Sequence, residues 1–306
     1  MTAEPLVVLA GPTASGKSAL ALALAREFPL EIVNADSLQV YRRMDIGTAK
    51  PSREERMEVP HHLIDVADPD EPYNAGRFVK EAEGAIAAIR ERGNVPIVVG
   101  GTGMYVRALL RGLDPLPSDP AVRKALDMRW EEEGGAGLHA ELARIDPETA
   151  ARVHPADRVR VVRALEIAAV AGAVPSRVRA AWGGGDPPAH RVLFLVLGPQ
   201  REDLYRRIDA RTEGMFRRGL LDEVRDLLAL GYGRELKPMC ALGYRHAVAH
   251  LLDGVPLAET VEAVKRDTRR YAKRQETWLS AEPGLVRLPP ETALGLAYDR
   301  VRNHLS

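Results

Sequence analysis

The chain has little cysteine, no apolar run of membrane-spanning length and no excess of charge of either sign. Its single cysteine, Cys240, excludes an internal disulfide framework and a multi-cysteine zinc cluster, which favours a reducing compartment. The first ten residues lack the basic segment of a secretion signal, and no run approaches the roughly 20 apolar residues of a transmembrane helix. We therefore expect a cytoplasmic protein that is neither exported nor embedded in a membrane.

The balance of charge limits how the chain could attract a polyanion. Its 306 residues include 43 Lys and Arg against 43 Asp and Glu, so the formal net charge is zero and the pI is about 7.1. Long-range steering of a nucleic acid needs an unbalanced field. A nucleic-acid partner would therefore have to be held by locally clustered arginines.

The order of apolar segments predicts an α/β fold. Short segments rich in β-branched residues alternate with helical patterns, which is typical of a parallel sheet with crossover helices. The predicted strands are residues 6–10, 31–35, 62–66, 96–100 and 191–197. The clearest helical patterns are residues 18–26, 204–230, 244–252 and 257–279.

Arginine-rich helical patterns separate the fourth and fifth predicted strands. They begin after prolines at positions 115, 117 and 120, and they end at the Trp-Gly-Gly-Gly-Asp-Pro-Pro segment of residues 182–188. Proline and glycine clusters at both ends predict a mainly helical insertion domain, residues 115–190, in a core of residues 1–114 and 191–306. A long excursion within one domain is the alternative.

The sharpest local signal is a phosphate-binding turn. Residues 11–18 match the pattern G-x-x-x-x-G-K-[ST], with a predicted strand before it and an Ala/Leu-rich helix after it. Backbone N–H groups of such a turn surround a phosphate, Lys17 adds a positive charge, and the Ser18 hydroxyl can bind Mg²⁺. We expect a P-loop NTPase-like core that binds a di- or triphosphate, the alternative being a chance match. The predicted phosphate-binding residues are Gly11, Pro12, Thr13, Ala14, Ser15, Gly16, Lys17 and Ser18.

Asp36 follows the second predicted strand, at the edge of the sheet where parallel α/β proteins bind ligands. It therefore points toward the same edge as the phosphate-binding turn. A carboxylate beside a phosphorylated substrate can take a proton from a nucleophile, so Asp36 is a candidate general base. A helix N-cap without chemistry is the alternative.

Further short segments follow the phosphate-binding turn in order. They are residues 34–41 (NADSLQVY), 44–51 (MDIGTAKP), 61–65 (HHLID), 99–105 (VGGTGMY), 163–166 (RALE), 241–245 (ALGYR), 271–275 (YAKRQ) and 277–279 (TWL). Together with the turn, they resemble the successive signatures of the tRNA dimethylallyltransferase family over roughly residues 5–280. No zinc-finger extension follows Trp278, which we expect of a bacterial-type member.

The resemblance implies an activity and its catalytic groups. Members transfer a dimethylallyl group from dimethylallyl diphosphate to the N6 amine of an adenosine next to the anticodon, at tRNA position 37, in tRNAs that read codons beginning with U. Asp36 matches the general base of the family, and Thr13, Lys17 and Arg211 match groups that bind the diphosphate together with Mg²⁺. Without the resemblance, Arg211 would pass as a solvated helix arginine.

The resemblance also implies contacts with tRNA. The matching residues are Asp36, Ser37, Leu38, Gln39, Thr102, Arg123, Val159, Arg160, Val161, Val162, Arg163, Cys240, Ala241, Leu242, Gly243, Tyr244 and Arg245. Cys240 stands where a longer polar residue is expected, which leaves its side-chain contact open. The target base has to leave its stack to reach an enclosed site. Residues 115–190 are therefore predicted to hold the anticodon stem-loop of a tRNA bound by a monomer.

Two other sequence features have competing interpretations. Residues 265–274 carry six basic residues and one acid along a helical pattern, which fits either a phosphate-contacting stripe or a solvated face. His246 and His250 have the spacing of helical zinc ligands, but they lack the accompanying Glu and a third ligand, so we set metal binding there aside.

Two rival functions remain open from the sequence. A small-molecule or nucleoside kinase would use the same turn for ATP and the same Asp36 to activate a hydroxyl. A nucleotide-switched RNA-binding protein would use Asp65 to hold Mg²⁺.

Overall fold

The structure is a computed structural model that describes residues 4–113, 116–181 and 190–306. The predicted entry of the insertion at residue 115 and its exit at residues 182–188 lie outside these ranges. Within them, no helix combines the length and the hydropathy needed to cross a membrane. The chain forms two compact units, Met1–Leu110 with Pro188–Ser306, and Arg111–Pro187.

The first unit contains one six-stranded sheet in which every neighbouring pair is parallel. Its strands are β1 (Glu4–Ala10), β2 (Leu30–Asn34), β3 (His61–His62), β4 (Val95–Gly100), β5 (His190–Leu197) and β6 (Val286–Leu288). They lie in the order β3-β2-β4-β1-β5-β6. The predicted α/β fold with a parallel sheet is confirmed.

Helices cover both faces of this sheet. In the first unit they are α1 (Lys17–Glu27), α2 (Arg53–Glu58), α3 (Ala75–Glu91), α4 (Gly103–Arg111), α9 (Arg201–Arg217), α10 (Leu220–Ala229), α11 (Tyr244–Asp253), α12 (Leu257–Ser280) and α13 (Ala293–Leu305). Alternate residues of β1 face opposite layers, because side chains of a strand alternate. Leu6 and Val8 pack in the layer of α3, α4, α10 and α11, and Val7 and Leu9 pack in the layer of α1 and α13.

In the second unit, every described element is a helix. These are α5 (Pro120–Ile145), α6 (Pro147–Arg152), α7 (Arg158–Ala171) and α8 (Pro175–Ala181). Leu138 and Leu142 of α5 pack against Val161 and Leu165 of α7 in a small core. These helices lie in the unit Arg111–Pro187, whereas the sequence predicts an insertion domain of residues 115–190.

Register places three turns at one edge of the sheet. Ala10 is opposite Gly100, and Val99 is opposite both Leu9 and Asn34. The turns that follow β1, β4 and β2 are therefore neighbours at the carboxyl ends of the strands, where ligands of parallel sheets bind.

Several predicted elements have different bounds in the structure. The predicted helix of residues 204–230 is two helices, because Gly219 has φ +98° and begins α10 in a left-handed conformation. The predicted strand of residues 62–66 is only the two residues of β3, since Leu63 and Asp65 have positive φ and leave the extended region. Strand β6 and helix α13 were not predicted.

Candidate active site

The phosphate-binding turn lies between β1 and α1. Gly16 adopts φ +98°, a conformation that L side chains rarely adopt. A Cβ on Gly11 would lie 2.5 Å from the carbonyl oxygen of Leu197, so the close approach of β5 requires glycine there. Ser15 N donates to Pro12 O at 3.2 Å, which closes the turn. The turn is therefore shaped by its backbone, as a phosphate cradle requires.

Lys17 is the cation at the centre of the turn. Its ammonium lies 3.5 Å from Pro12 O, with Asp36 and Arg211 as charged neighbours. Burial lowers the pKa of Lys17 to about 8, an effect that the negative charge of Asp36 opposes and the positive charge of Arg211 reinforces. A bound diphosphate would raise the pKa of Lys17 again, because a negative charge beside the ammonium favours its protonated form.

Asp36 stabilises the turn in which it lies. Its Oδ1 accepts hydrogen bonds from Leu38 N at 2.9 Å and Gln39 N at 3.4 Å. Among the described residues, no donor is hydrogen-bonded to its Oδ2. One carboxylate oxygen thus fixes the orientation of the group within a turn, and no helix begins there for it to cap, while the other oxygen remains available to take a proton.

Thr102 joins the turns that follow β2 and β4. Its hydroxyl accepts from Ser37 N at 3.1 Å, and its own N–H donates to Ala35 O at 3.3 Å. A Cβ on Gly100 would lie 2.2 Å from Ala35 O, so the two turns can approach this closely only with glycine at that position. Thr102 therefore holds the segment that carries Asp36.

Arg211 comes to the site from α9. It is partly buried, and its guanidinium donates to Thr48 O at 3.4 Å. Burial lowers the pKa of Arg211 from its usual value, opposed by the negative charge of Asp36. One turn earlier on the same helix, Arg207 donates to Ser15 O at 3.2 Å. The interpretation of Arg211 as a solvated helix arginine is therefore wrong.

One cavity of about 490 Å³ brings these groups together. Its polar lining includes Thr13, Lys17, Asp36 and Arg211. Its apolar lining includes Leu38, Tyr41, Ile208, Met215, Leu242 and Val264. A cavity with cations and a carboxylate at one place and apolar walls at another can hold an anionic group attached to a hydrocarbon.

Gln275 is a site residue that sequence reasoning missed. Its side chain is only 7% exposed; its Oε1 accepts from Thr13 N at 2.9 Å and its Nε2 donates to Gly101 O at 2.9 Å. It therefore ties the phosphate-binding turn to the turn after β4. The only sequence signal was its place in the segment of residues 271–275, because nothing in the spacing shows where an amide on a distant helix will point.

The predicted tRNA residues of the first unit fall into two groups. Those that line the cavity are Asp36, Ser37, Leu38, Thr102, Cys240, Ala241, Leu242, Gly243 and Arg245. Gln39 and Tyr244 are engaged within the protein. The Gln39 amide donates to Thr48 O at 3.2 Å and Ala49 O at 3.3 Å, and Tyr244 is fully buried with its hydroxyl 2.6 Å from Glu223.

In the second unit, the predicted tRNA residues also differ in their environments. Arg123 and Arg163 both pair with the carboxylate of Glu166, which is 1% exposed. Val161 and Val162 lie in the small core. Val159 is 79% exposed, and the Arg160 side chain is 69% exposed. Only the last two project into solvent without a buried partner.

The Asp65 carboxylate is held away from any phosphate role. Lys50 lies 2.6 Å from its Oδ1 and Arg56 lies 2.7 Å from its Oδ2. Mg²⁺ would have to compete with these two cations for the carboxylate, so the structure argues against Asp65 as the metal acid of a nucleotide switch.

The remaining sequence features do not form a metal centre. In the described part of the chain, no group of three or more His, Cys, Asp or Glu side chains could hold a metal ion. His246 lies 3.2 Å from Asp267, and His250 faces Val255 O at 2.6 Å. The basic stripe of residues 265–274 is largely paired, with Lys265 bound to Glu213 and Glu262.

Ser18 fits a magnesium site that the substrate completes. It is exposed beside Lys17 at the start of α1, and the described residues offer its hydroxyl no hydrogen-bond partner. Mg²⁺ commonly keeps several waters and takes its other ligands from substrate phosphates rather than from a protein cage. One hydroxyl beside a diphosphate site is compatible with that mode.

The chain matches family models and curated relatives over most of its length. A model described as IPP transferase matches residues 39–282, and a model described as isopentenyl transferase matches residues 5–65. A tRNA dimethylallyltransferase of Syntrophobacter fumaroxidans is 51% identical over 280 residues, which cover 91% of this chain and 82% of the relative. The tRNA dimethylallyltransferase 1 of Citrifermentans bemidjiense is 52% identical over 278 residues, covering 90% of this chain and 89% of the relative.

Solved structures agree with these relatives. The tRNA isopentenylpyrophosphate transferase of Bacillus halodurans superposes with a TM-score of 0.74 at 35% identity, covering 99% of this chain and 97% of that chain. A eukaryotic dimethylallyltransferase acting on tRNA gives a TM-score of 0.79 at 30% identity, covering 98% of this chain and 80% of that chain. The chain therefore belongs to the tRNA dimethylallyltransferase family.

Proposed function

We propose that this protein transfers a dimethylallyl group from dimethylallyl diphosphate to the N6 amine of the adenosine next to the anticodon of tRNA. The observation that carries the proposal is the cavity in which Asp36, Lys17 and Arg211 meet. This arrangement offers a base at one place and an anion site at another. A kinase with the same phosphate-binding turn is not favoured, because the relatives that share about half of the sequence are tRNA dimethylallyltransferases.

The nucleophile needs help because its lone pair is delocalised into the adenine ring. In the proposed reaction, the N6 nitrogen forms a bond to the first carbon of the dimethylallyl group while the bond from that carbon to the diphosphate oxygen breaks. The proton moves from N6 to Oδ2 of Asp36. The hydrogen bond from Leu38 N to Oδ1 keeps the carboxylate in orientation. A positioned base of this kind contributes on the order of 10² to 10⁴ in rate.

The opposite end of the reaction releases diphosphate with the electron pair of the broken bond. Lys17 and Arg211, which line the cavity, and the first backbone N–H groups of α1 would face that developing charge. Thr13 also lines the cavity, where its hydroxyl is a further donor. The apolar walls around Ile208 and Met215 would hold the dimethylallyl group away from water.

Mg²⁺ is the proposed cofactor. Ser18 would hold it together with oxygens of the diphosphate, and its charge would lower the energy of the leaving group. Ser18 stands beside Lys17 at the start of α1, so both groups would meet the same phosphates.

The tRNA is proposed to be held by residues of both units, with the second unit gripping the anticodon stem-loop. The residues that support this are Val159 and Arg160 at the start of α7, because they are exposed, together with the cavity-lining residues around Cys240 and Arg245. We further propose that the protein works as a monomer in the cytoplasm.

The test of this function is a transfer assay. Unmodified tRNA, Mg²⁺ and dimethylallyl diphosphate are incubated with the protein, and the digested nucleosides are analysed by mass. We expect one adenosine per accepted tRNA to gain a dimethylallyl group, at the position next to the anticodon. An unchanged adenosine, or transfer of phosphate from ATP in a parallel reaction, would overturn the proposal.

The Asp36→Asn variant tests the general base in the same assay. We expect about 10²- to 10⁴-fold slower transfer with diphosphate affinity retained, because the amide cannot take the proton but preserves the acceptor of the turn. Wild-type turnover in this variant would remove Asp36 from the proton transfer.

A further inference from the structure

Glu223 of α10 is the centre of a hydrogen-bond cluster that the proposed chemistry does not use, on a loop whose Gly47 and Thr48 line the cavity. Its Oε2 accepts from Asp45 N at 2.8 Å and Ile46 N at 2.6 Å. Its Oε1 accepts from Gly47 N at 3.1 Å and from the Tyr244 hydroxyl at 2.6 Å. One carboxylate thus binds three successive backbone N–H groups of a loop and a phenol, which is an unusual concentration of donors for a structural acid.

The loop that Glu223 binds is also shaped around Tyr244. A Cβ on Gly47 would lie 2.6 Å from ring carbons of Tyr244, so the loop can rest on this buried ring only with glycine at that position. The Thr48 hydroxyl donates to Met44 O at 2.6 Å, and Ala49 N donates to Ile46 O at 3.1 Å. The loop is therefore held from one side by Glu223 and Tyr244.

The other side of the same loop presents carbonyl groups to the active site. Thr48 O accepts from the Arg211 guanidinium at 3.4 Å and from the Gln39 amide at 3.2 Å, and Ala49 O accepts from the same amide at 3.3 Å. Gln39 N in turn donates to Oδ1 of Asp36 at 3.4 Å. A displacement of the loop would move the acceptor of the diphosphate-binding arginine and the neighbour of the general base together.

We propose that Glu223 and Tyr244 are positioning residues that place Arg211 and Asp36 through the loop of residues 45–49. The inference rests on the proposed function, because it assigns Arg211 to the diphosphate and Asp36 to the proton. It gives Tyr244 a role inside the protein, different from the tRNA contact that its sequence segment implies. Misplacement of reacting groups by about 1 Å can cost on the order of 10²-fold in rate. Loss of the hydrogen bonds from Glu223 to this loop should therefore lower the transfer rate measurably.

The main experiment compares Glu223→Gln with Asp226→Asn. Both remove one negative charge from α10, but Asp226 is exposed and takes part in no described ion pair. In Glu223→Gln, an amide NH₂ group replaces one carboxylate oxygen. The donors that were hydrogen-bonded to that oxygen then face another donor and lose their acceptor. We expect affinity for inorganic pyrophosphate, measured by calorimetry, to fall about 10-fold, and kcat/KM for dimethylallyl diphosphate to fall about 10- to 100-fold with the KM for tRNA unchanged. Asp226→Asn should match the wild type in all of these values.

A double variant separates positioning from general stability. Arg211→Ala removes the group that the loop places, so adding Glu223→Gln to it should lower pyrophosphate affinity by less than 3-fold more. Additive losses would mean that Glu223 acts on the fold rather than through Arg211, and would overturn the inference. Wild-type pyrophosphate affinity and kinetics in Glu223→Gln would also overturn it, whereas absence of transfer by the wild-type protein itself would instead refute the proposed function.

Tyr244→Phe keeps the test possible if Glu223→Gln does not fold. This variant keeps the ring against Gly47 and removes only the hydroxyl that bonds to Glu223. We expect about a 5-fold lower kcat/KM for dimethylallyl diphosphate and an unchanged KM for tRNA. A raised KM for tRNA with unaltered kinetics for dimethylallyl diphosphate would identify Tyr244 as a tRNA contact and overturn its positioning role.

Discussion

Lys17 changes its protonation close to physiological pH, since burial lowers its pKa to about 8. Only the protonated form attracts a diphosphate. The free site is therefore almost fully protonated about one pH unit below this pKa and half protonated at it. Above it, the affinity for dimethylallyl diphosphate should fall by about 10-fold per pH unit until the raised pKa of the complex is reached. Calorimetric titrations between pH 7 and pH 9.5 measure this slope.

The matched variant for this prediction is Lys17→Arg. A guanidinium stays protonated over the whole range, so its affinity should be weaker at pH 7 but nearly level above pH 8. The same decline in both proteins would trace the pH dependence to the ligand or to another group, and would contradict the assignment to Lys17.

Among single residues, the sequence predicted those whose roles are fixed by backbone position. Residues 11–18 and Asp36 follow strands of a parallel sheet, so their meeting at one edge follows from topology. Arg211 and Gln275 lie on helices more than 170 residues further along the chain than Asp36. Their contacts depend on how these helices pack, which periodicity alone does not give. The resemblance to the family identified Arg211 as a site residue, whereas no feature of the sequence indicated the hydrogen bonds of the Gln275 amide.

At the scale of secondary-structure elements, β1, β2, β4 and β5 were predicted to within two residues because their apolar runs are bounded by turns, whereas β3 is shorter than predicted. The bounds of helices were less predictable. Gly219 interrupts an apolar pattern that continues on both sides, so periodicity indicates one helix where a left-handed residue makes two. Strand β6 has only three residues, and it exists because β5 offers an unpaired edge. Such a segment carries too little pattern to be recognised.

Helix α12 is attached to the active site through Gln275, which gives a prediction at this scale. Gln275→Leu preserves the size of the side chain but leaves Thr13 N and Gly101 O without their partners. We expect the free energy of unfolding to fall by about 2 kcal/mol, together with weaker diphosphate binding, because unpaired buried polar groups are costly. Urea unfolding and calorimetry measure the two effects.

Thr277→Ala is the control on the same helix. Thr277 is exposed and its hydroxyl bonds only to Lys273 O within α12, so its loss should change the unfolding free energy by less than about 0.5 kcal/mol. Equal unfolding midpoints for Gln275→Leu and the wild-type protein would contradict the bridging role of Gln275.

For the molecule as a whole, charge pairing engages many of the arginines with acids of the same chain, as expected where the net charge is zero. Within the described ranges, Arg158 pairs with Asp127 and Glu131, and Arg269 pairs with Asp209. Some of the arginines that cluster in the sequence are therefore already paired with acids in the structure. The salt dependence of tRNA binding should reflect those exposed arginines that a tRNA phosphate reaches.

Arg160 is the residue of the second unit that tests this view. Its side chain is 69% exposed, and its nearest acid, Asp157, lies 3.5 Å away. If Arg160 contacts a phosphate of the stem-loop, Arg160→Ala should weaken tRNA binding uniformly across tRNAs and reduce the slope of log affinity against log salt by about 1. Arg300→Ala, an exposed arginine of α13, should leave affinity and slope unchanged. Filter-binding titrations at several salt concentrations measure both.

Equal slopes for the wild-type protein and Arg160→Ala would show that this face of the second unit does not neutralise a tRNA phosphate. The stem-loop would then have to be bound by other residues.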